Sequence, residues 1–215
     1  MEPATADPAS EGARSSRGRA LDPHDLAAGK KNAQRLKAML GFLDESGFTQ
    51  QPPIRATWAP RGRTPVVVEL FNHWKHLSGI GAVLTTVTGR RPRWSLAFHP
   101  GPVRSREVIR FLSALRHHVR RRVLLLWDRL PAHRSRQVAE ALVQHRSWLT
   151  VEWLPAYAPD LNPVEQLWAH LDAAALANTP PDDLRVLRHM VRNGLRRVRR
   201  HPDLARGFLK HTGLF

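Results

Sequence analysis

The chain has 215 residues, enough for one domain with a sizeable core, or one domain and a tail. Its formal charge of +16, with 29 arginines among 34 basic residues, makes a polyanion the first partner to consider. The absence of cysteine excludes disulfide scaffolds, thiolate zinc sites, iron–sulfur clusters and cysteine nucleophiles, and no apolar run approaches the roughly 18 residues of a membrane span.

Residues 1–28 are rich in Ala, Pro, Ser, Gly and Arg without an apolar period, and no apolar core marks a secretory signal. A leader or linker over 1–37 is expected, with the start of a short helix at 29–37, and one folded domain over 38–215. Met39 to Leu43 reads as a strand ending at the polar turn Asp44-Glu45-Ser46-Gly47. Short strands are predicted at 55–58 and 65–71, then at 77–87 and 94–98, together an antiparallel meander. The pattern changes at Ser105, where Val108, Ile109, Leu112 and Leu115 recur at helical spacing. The apolar run Val123 to Trp127 is short enough for a buried strand, followed by a helix at 135–145 and a strand at 148–154. Helices are expected at 163–176, 181–200 and 202–210. Strands followed by strand–helix alternation give an α/β fold, a mixed sheet with helices packed on it.

Three acids sit at predicted element ends: Asp44, Asp128 directly after Val123 to Trp127, and Glu165 in the first turn of a helix. Strand ends are where open sheets bind ligands. Three carboxylates brought together repel unless cations lie between them, and hard divalent ions with oxygen ligands, Mg²⁺ or Mn²⁺, suit that role. Each acid also has a structural reading. An Asp after a strand is commonly a turn or cap residue. Asn162-Pro163-Val164-Glu165 has the form of a capping box, with Asn at the N-cap, Pro first in the helix and Glu third. Asp44 and Glu45 point to opposite faces of a strand, so spacing alone leaves open which one faces a site.

The segment Leu154-Pro155-Ala156-Tyr157-Ala158-Pro159-Asp160-Leu161-Asn162-Pro163-Val164-Glu165-Gln166-Leu167-Trp168 resembles the third motif of mariner-superfamily transposases, most closely the bacterial insertion-sequence 630 branch with its DDE endonuclease domain. Leu43-Asp44-Glu45-Ser46-Gly47-Phe48 resembles the first motif, and Leu126-Trp127-Asp128-Arg129-Leu130-Pro131-Ala132-His133 the second. The resemblance spans about residues 38–175. It implies a ribonuclease H-like fold, a mixed five-stranded sheet with helices on both faces, and Asp44, Asp128 and Glu165 as a catalytic triad holding Mg²⁺ or Mn²⁺, two ions by the family pattern. It further implies double-stranded DNA, transposon ends and target, as substrate, and a homodimer on DNA. Family members usually carry an N-terminal helix-turn-helix reader, so the resemblance leads to the expectation of a catalytic half, with a separate helix-turn-helix polypeptide as a possible partner and a cytoplasmic, nucleoid-associated location. An inactive DNA-binding remnant and a stand-alone metal nuclease are the alternatives.

Arg129 stands where the family usually has Asn, beside a metal-binding Asp. His133 and Asn162 are further near-site candidates. In the C-terminal region an apolar stripe (Leu184, Leu187, Val191, Leu195, Val198) is shadowed by Arg185, Arg188, Arg192, Arg196 and Arg199. That basic stripe is either a solvated face or a DNA-tracking surface. Arg120, Arg121 and Arg122 form a second cluster of DNA-binding candidates.

Overall fold

The computed structural model describes residues 19–20, 26–63, 66–68, 75–155 and 158–215. Strands β1 (Arg19–Ala20), β2 (Met39–Thr49), β3 (His76–Thr85), β4 (Arg93–His99), β5 (Val123–Trp127) and β6 (Leu149–Trp153) form one mixed sheet in the order β1-β6-β5-β2-β3-β4. β2, β3 and β4 run antiparallel as a meander, while β5 lies parallel to β2 and β6 parallel to β5. The two-residue β1 adds to the far edge of this five-stranded sheet.

Helices α1 (Leu26–Arg35), α2 (Ser105–His118), α3 (Arg136–His145), α4 (Pro163–Leu171), α5 (Leu184–Arg200) and α6 (Pro202–His211) cover both faces. On one face Leu40, Phe42, Leu124 and Leu126 pack with Val164, Leu167 and Trp168 of α4, Leu187 to Val198 of α5, and Phe208 and Leu209 of α6. On the other, Leu43, Leu125 and Trp127 pack with Val108, Leu112 and Leu115 of α2 and Val138 and Leu142 of α3. β2 and β5 therefore feed alternate residues into two cores, as the period of two requires. None of the described helices is long and apolar enough to cross a membrane.

The structure departs from the sequence expectations in four places. β2 does not stop at Asp44 but continues to Thr49, every residue from Leu40 paired with β3. Residues 55–58 form no strand. Asn178 instead takes the place of a neighbouring chain there, accepting from the Arg55 backbone N–H (2.9 Å) and donating to its carbonyl (2.8 Å). Of the strand expected at 65–71, residues 66–68 have no regular structure and the rest lies outside the described residues. The ordered body reaches back beyond residue 38, because α1 buries Leu26, Gly29 and Ala33. Apart from Arg19–Ala20, the leader expected before it lies outside the described residues.

Candidate active site

The register of the two central strands brings the first two acids together. Phe42 of β2 pairs with Leu126 of β5, so two residues further along both chains Asp44 is level with Asp128. Both project to the α4 side, the face shared by Phe42 and Leu126. α4 enters there behind a short 3₁₀ turn, Pro159–Leu161. Asn162 anchors it twice: its Oδ1 caps the helix by accepting from the Val164 N–H (3.1 Å), and its Nδ2 donates to the Leu43 carbonyl (3.0 Å). The cap is made without the return bond of a capping box, and among the described residues no hydrogen bond holds the Glu165 carboxylate. Asp44, Asp128 and Glu165 line one cleft of about 540 Å³.

Asp44 is buried, and its Oδ2 accepts from the indole N–H of Trp168 at 2.8 Å. The indole reaches it only because Gly81 stands opposite Asp44 on β3: a Cβ there would meet two ring carbons at 2.6 Å. Burial, then the charges of Glu165 and Glu45, push the Asp44 carboxyl up to about 8, against the Trp168 bond and with Asp128 adding to the rise. Glu165 is likewise raised, by burial and then by Asp128 and Asp160. The cluster thus holds negative charge that no lysine or arginine neutralises among the described residues.

Asp128 is fixed from behind. His133 Nδ1 lies 2.5 Å from Asp128 Oδ1, and its Nε2 lies 3.1 Å from Glu45 Oε1. The same Asp128 oxygen accepts from the Leu130 N–H (3.0 Å). The buried imidazole stacks on Trp127 with centroids 4.1 Å apart. Burial alone would lower its pKa, yet the bonds to Asp128 and Glu45 outweigh it and hold the ring near 9. Glu45, Asp128 and His133 are the trio among the described residues whose ligand atoms lie within 4.8 Å of one another, and both ring nitrogens of His133 are engaged by the two carboxylates. Asp44, Asp128 and Glu165 form a more open set of carboxylate oxygens, all hard donors, suited to divalent cations rather than to zinc.

Each sequence candidate finds a place. Arg129 lines the cleft and is exposed, without a hydrogen bond or ion pair to Asp128. The basic stripe of α5 is divided. Arg185 bonds the cap residue Asp183 (2.9 Å), and Arg196 bonds Asn193 (2.7 Å). Arg188 and Arg192 lie over the Phe98 ring at 5.9 and 5.6 Å, and Arg199 bonds the Trp94 carbonyl. Arg120, Arg121 and Arg122 are exposed in the turn before β5. Spacing alone left open whether Asp44 or Glu45 faces the site; Asp44 lines the cleft and Glu45 serves it from the opposite face through His133, while sequence reasoning gave no role to Trp168 or Gly81. The alternation Gly79-Ile80-Gly81 inside a strand was the available signal, since such glycines mark close approach by a neighbour.

The family model described as DDE superfamily endonuclease matches residues 39–188. Among curated proteins no sequence is significantly similar to the chain. Among solved structures, the mariner Mos1 paired-end complex with Mg is similar, with a TM-score of 0.59, 18% identity, and coverage of 90% of this chain and 62% of that one. The Mos1 transposase paired-end complex with left transposon end gives 0.55, 19%, 87% and 60%, and the pre-cleavage Mos1 transpososome 0.56, 16%, 90% and 65%. At these identities the likeness is one of fold, and the chain spans about 60% of the length of the first two.

Proposed function

Because the chain belongs to the DDE superfamily endonucleases, we propose that it is the catalytic domain of a transposase, cutting DNA at the ends of a mobile element and joining them to a target. One observation carries the reading: Asp44, Asp128 and Glu165, far apart in sequence, line one cleft, and among the described residues neither Arg129 nor Arg134, which share it, forms an ion pair with any of the three. Asp44, Asp128 and Glu165 would hold Mg²⁺ or Mn²⁺, two ions as in the resemblance. The chemistry such ions supply is charge neutralisation at the phosphodiester and at the oxygens entering and leaving phosphorus. The chain's own part is positioning. Trp168 orients Asp44, the His133 bridge orients Asp128, and the Asn162 cap sets the first turn that carries Glu165. Similar proteins have been captured as paired-end complexes, with left transposon end in one case, which supports a homodimer on double-stranded DNA. A separate helix-turn-helix polypeptide as end reader, and a cytoplasmic, nucleoid-associated location, complete the proposal.

The test is Mg²⁺-dependent nicking of DNA carrying the terminal repeats. Glu165→Gln is expected to lower nicking at least about a hundredfold, with the helix and DNA retention on a gel preserved, since Asn162 alone makes the cap. Joint loss of nicking and DNA retention would reduce Glu165 to a structural residue. Nicking without preference for terminal repeats would favour a stand-alone nuclease, and no nicking by the wild type an inactive DNA-binding remnant.

A further inference from the structure

Far from the acids, the opposite end of the sheet gathers arginines from four parts of the chain. There β3 turns into β4, β2 and β5 begin, and α5 passes into α6. A cavity of about 790 Å³ opens between the β3–β4 turn and the α5–α6 junction, lined by Arg90, Arg91, Arg93, Arg199 and Arg206 around Trp94. A second groove of about 420 Å³ shares Arg91 and Arg93 and adds Arg120 and Arg121 from the turn before β5. A third shares Arg93, Trp94 and Arg199 with the first. No acid lines any of the three, and none of their lining residues lines the catalytic cleft. The four-residue step along β2 from Asp44 to Leu40 already spans about 13 Å at the strand rise, and the β3–β4 turn lies beyond it.

The arginines are presented by rigid backbone. Thr85 and Thr86 hydroxyls both donate to the Arg90 carbonyl (3.0 and 3.2 Å), and the Arg90 N–H donates to Thr86 Oγ1 (3.0 Å). Arg91 follows in the left-handed region at φ 55°. Arg199 is tied to the Trp94 carbonyl, and Arg206 is shared with Asp203. The guanidinium groups of Arg90, Arg91, Arg93, Arg120 and Arg121, all exposed, have no ion pair among the described residues. So many unpaired like charges in one concavity repel one another and favour a polyanion that enters between them.

We propose that this concavity is a second DNA site, holding the phosphate backbone of a duplex segment other than the one in the catalytic cleft. Three connected grooves exceed what a mononucleotide would fill, whereas a duplex presents a continuous row of phosphates. The site reads backbone and not sequence. Trp94 is buried edge-on against Phe208 with centroids 6.0 Å apart and Phe111 is buried as well, so neither of these rings is free to stack on a base. The choice of DNA as polyanion rests on the proposed function. A protein that joins one DNA to another must hold two segments at once, and this pole supplies the second hold.

The experiment is fluorescence anisotropy of a labelled random-sequence duplex over a salt series, without divalent metal. The variants are Arg90→Gln/Arg91→Asn/Arg93→Gln, the same three positions changed to Lys, and a control with Arg110, Arg136 and Arg146 changed to Gln on the outer surface of α2 and α3. The turn is held through the backbone of Arg90, so the exchanges spare it. Each phosphate contact contributes about 0.9 to the slope of log affinity on log salt. The neutral triple variant is expected to lose about 2 to 3 from that slope and about tenfold or more in affinity, while the Lys variant and the control keep both. An unchanged slope in the neutral variant, or an equal loss in the control, overturns the proposal. So does loss of tripolyphosphate binding with duplex binding intact, which would make this a small-polyanion site. The two readings fail separately: a wild type that does not nick DNA removes the catalytic one and leaves the slope to be read, whereas nicking with an unchanged slope removes the second site alone.

Discussion

Replacing Gly81 by alanine tests how the first acid is held in place. The added methyl would stand 2.6 Å from both Cζ2 and Cη2 of Trp168 and 3.1 Å from Val164 Cγ1, against a carbon–carbon optimum of about 3.5–4.0 Å. The indole must retreat by about 1 Å, yet it is boxed in, buried, edge-on to Phe48 at 5.7 Å and bonded to Asp44. Overpacking of this kind costs about 1–3 kcal/mol, offset by about 0.5–1 kcal/mol from the smaller entropy of the unfolded chain. A net loss of about 1–2 kcal/mol is expected in urea unfolding. Gly47→Ala, in the neighbouring strand β2, is the matched control. Nothing lies within 4 Å of its added methyl, so it should be neutral or stabilise by up to about 1 kcal/mol. Since a displacement of about 1 Å at a reacting group costs on the order of a hundredfold in rate, Gly81→Ala should also depress nicking by one to two orders of magnitude. Adding Trp168→Phe should relieve the clash and recover stability without recovering nicking, because phenylalanine has no N–H for Asp44. Wild-type nicking in a destabilised Gly81→Ala protein would refute the positioning role of Trp168; wild-type stability would refute the packing argument itself.

Three further outcomes follow from the site. Asp44 is raised from 3.8 to about 8 in the folded chain, so its contribution to stability is fully present below about pH 4 and lost as pH rises through 8. His133, held near 9, loses its contribution between about 6.5 and 9. Thermal melts in chelator should therefore fall with rising pH, and Asp44→Asn should remove the lower part of that fall; equal slopes in both proteins would contradict it. Asn162→Ala removes both the helix cap and a buried bond to the Leu43 carbonyl, and should cost about 1–3 kcal/mol in denaturant unfolding. Arg129→Asn should leave stability within about 0.5 kcal/mol, as the exposed side chain has no partner. It should also lower the Mg²⁺ concentration for half-maximal nicking, whereas a higher requirement would show that the guanidinium serves the DNA rather than opposing the ion.

Apolar runs and helical periodicity made most of the fold legible: the strands expected at 123–127 and 148–154, found at 123–127 and 149–153, the helices from Ser105 onward, and a sheet with helices packed on it. Asp44-Glu45-Ser46-Gly47 misled because four poor strand formers in a row read as a turn. They are a strand because β3 pairs with each of them and because both carboxylates are used, Asp44 on one face and Glu45 on the other. The three acids stood out by their places at predicted element ends, and the motif resemblance chose Asp44 over Glu45 and implied the triad. Their supports were not legible, because each joins distant positions: Trp168 to Asp44 across 124 residues, and His133 to Glu45 across 88. The α5 stripe shows the reverse case. Its periodicity was real, but two of its five arginines cover Phe98, and two others are engaged by Asp183 and Asn193.

That division of the arginines follows from where the acids sit. An arginine folded against Asp44 and Glu165 would neutralise the site at the expense of a cation. Arg129 and Arg134 line the cleft without an ion pair to any of the three acids among the described residues, and the arginines of the stripe are held elsewhere. Arg188 and Arg192 spread over an edge strand, Arg199 reaches the distant pole, and Arg129 stays in solvent at the cleft rim. The cationic side chain bonded to an acid of the cleft among the described residues is His133, placed behind Asp128 and bridging to Glu45, where it fixes the carboxylate's orientation while Asp44 and Glu165 have no ion pair there. A surplus of positive charge on the whole chain and a cluster of acids in its cleft fit the proposed function as two parts of one arrangement: the first would draw in the polyanion, and the second suits divalent cations between the carboxylates and the phosphate.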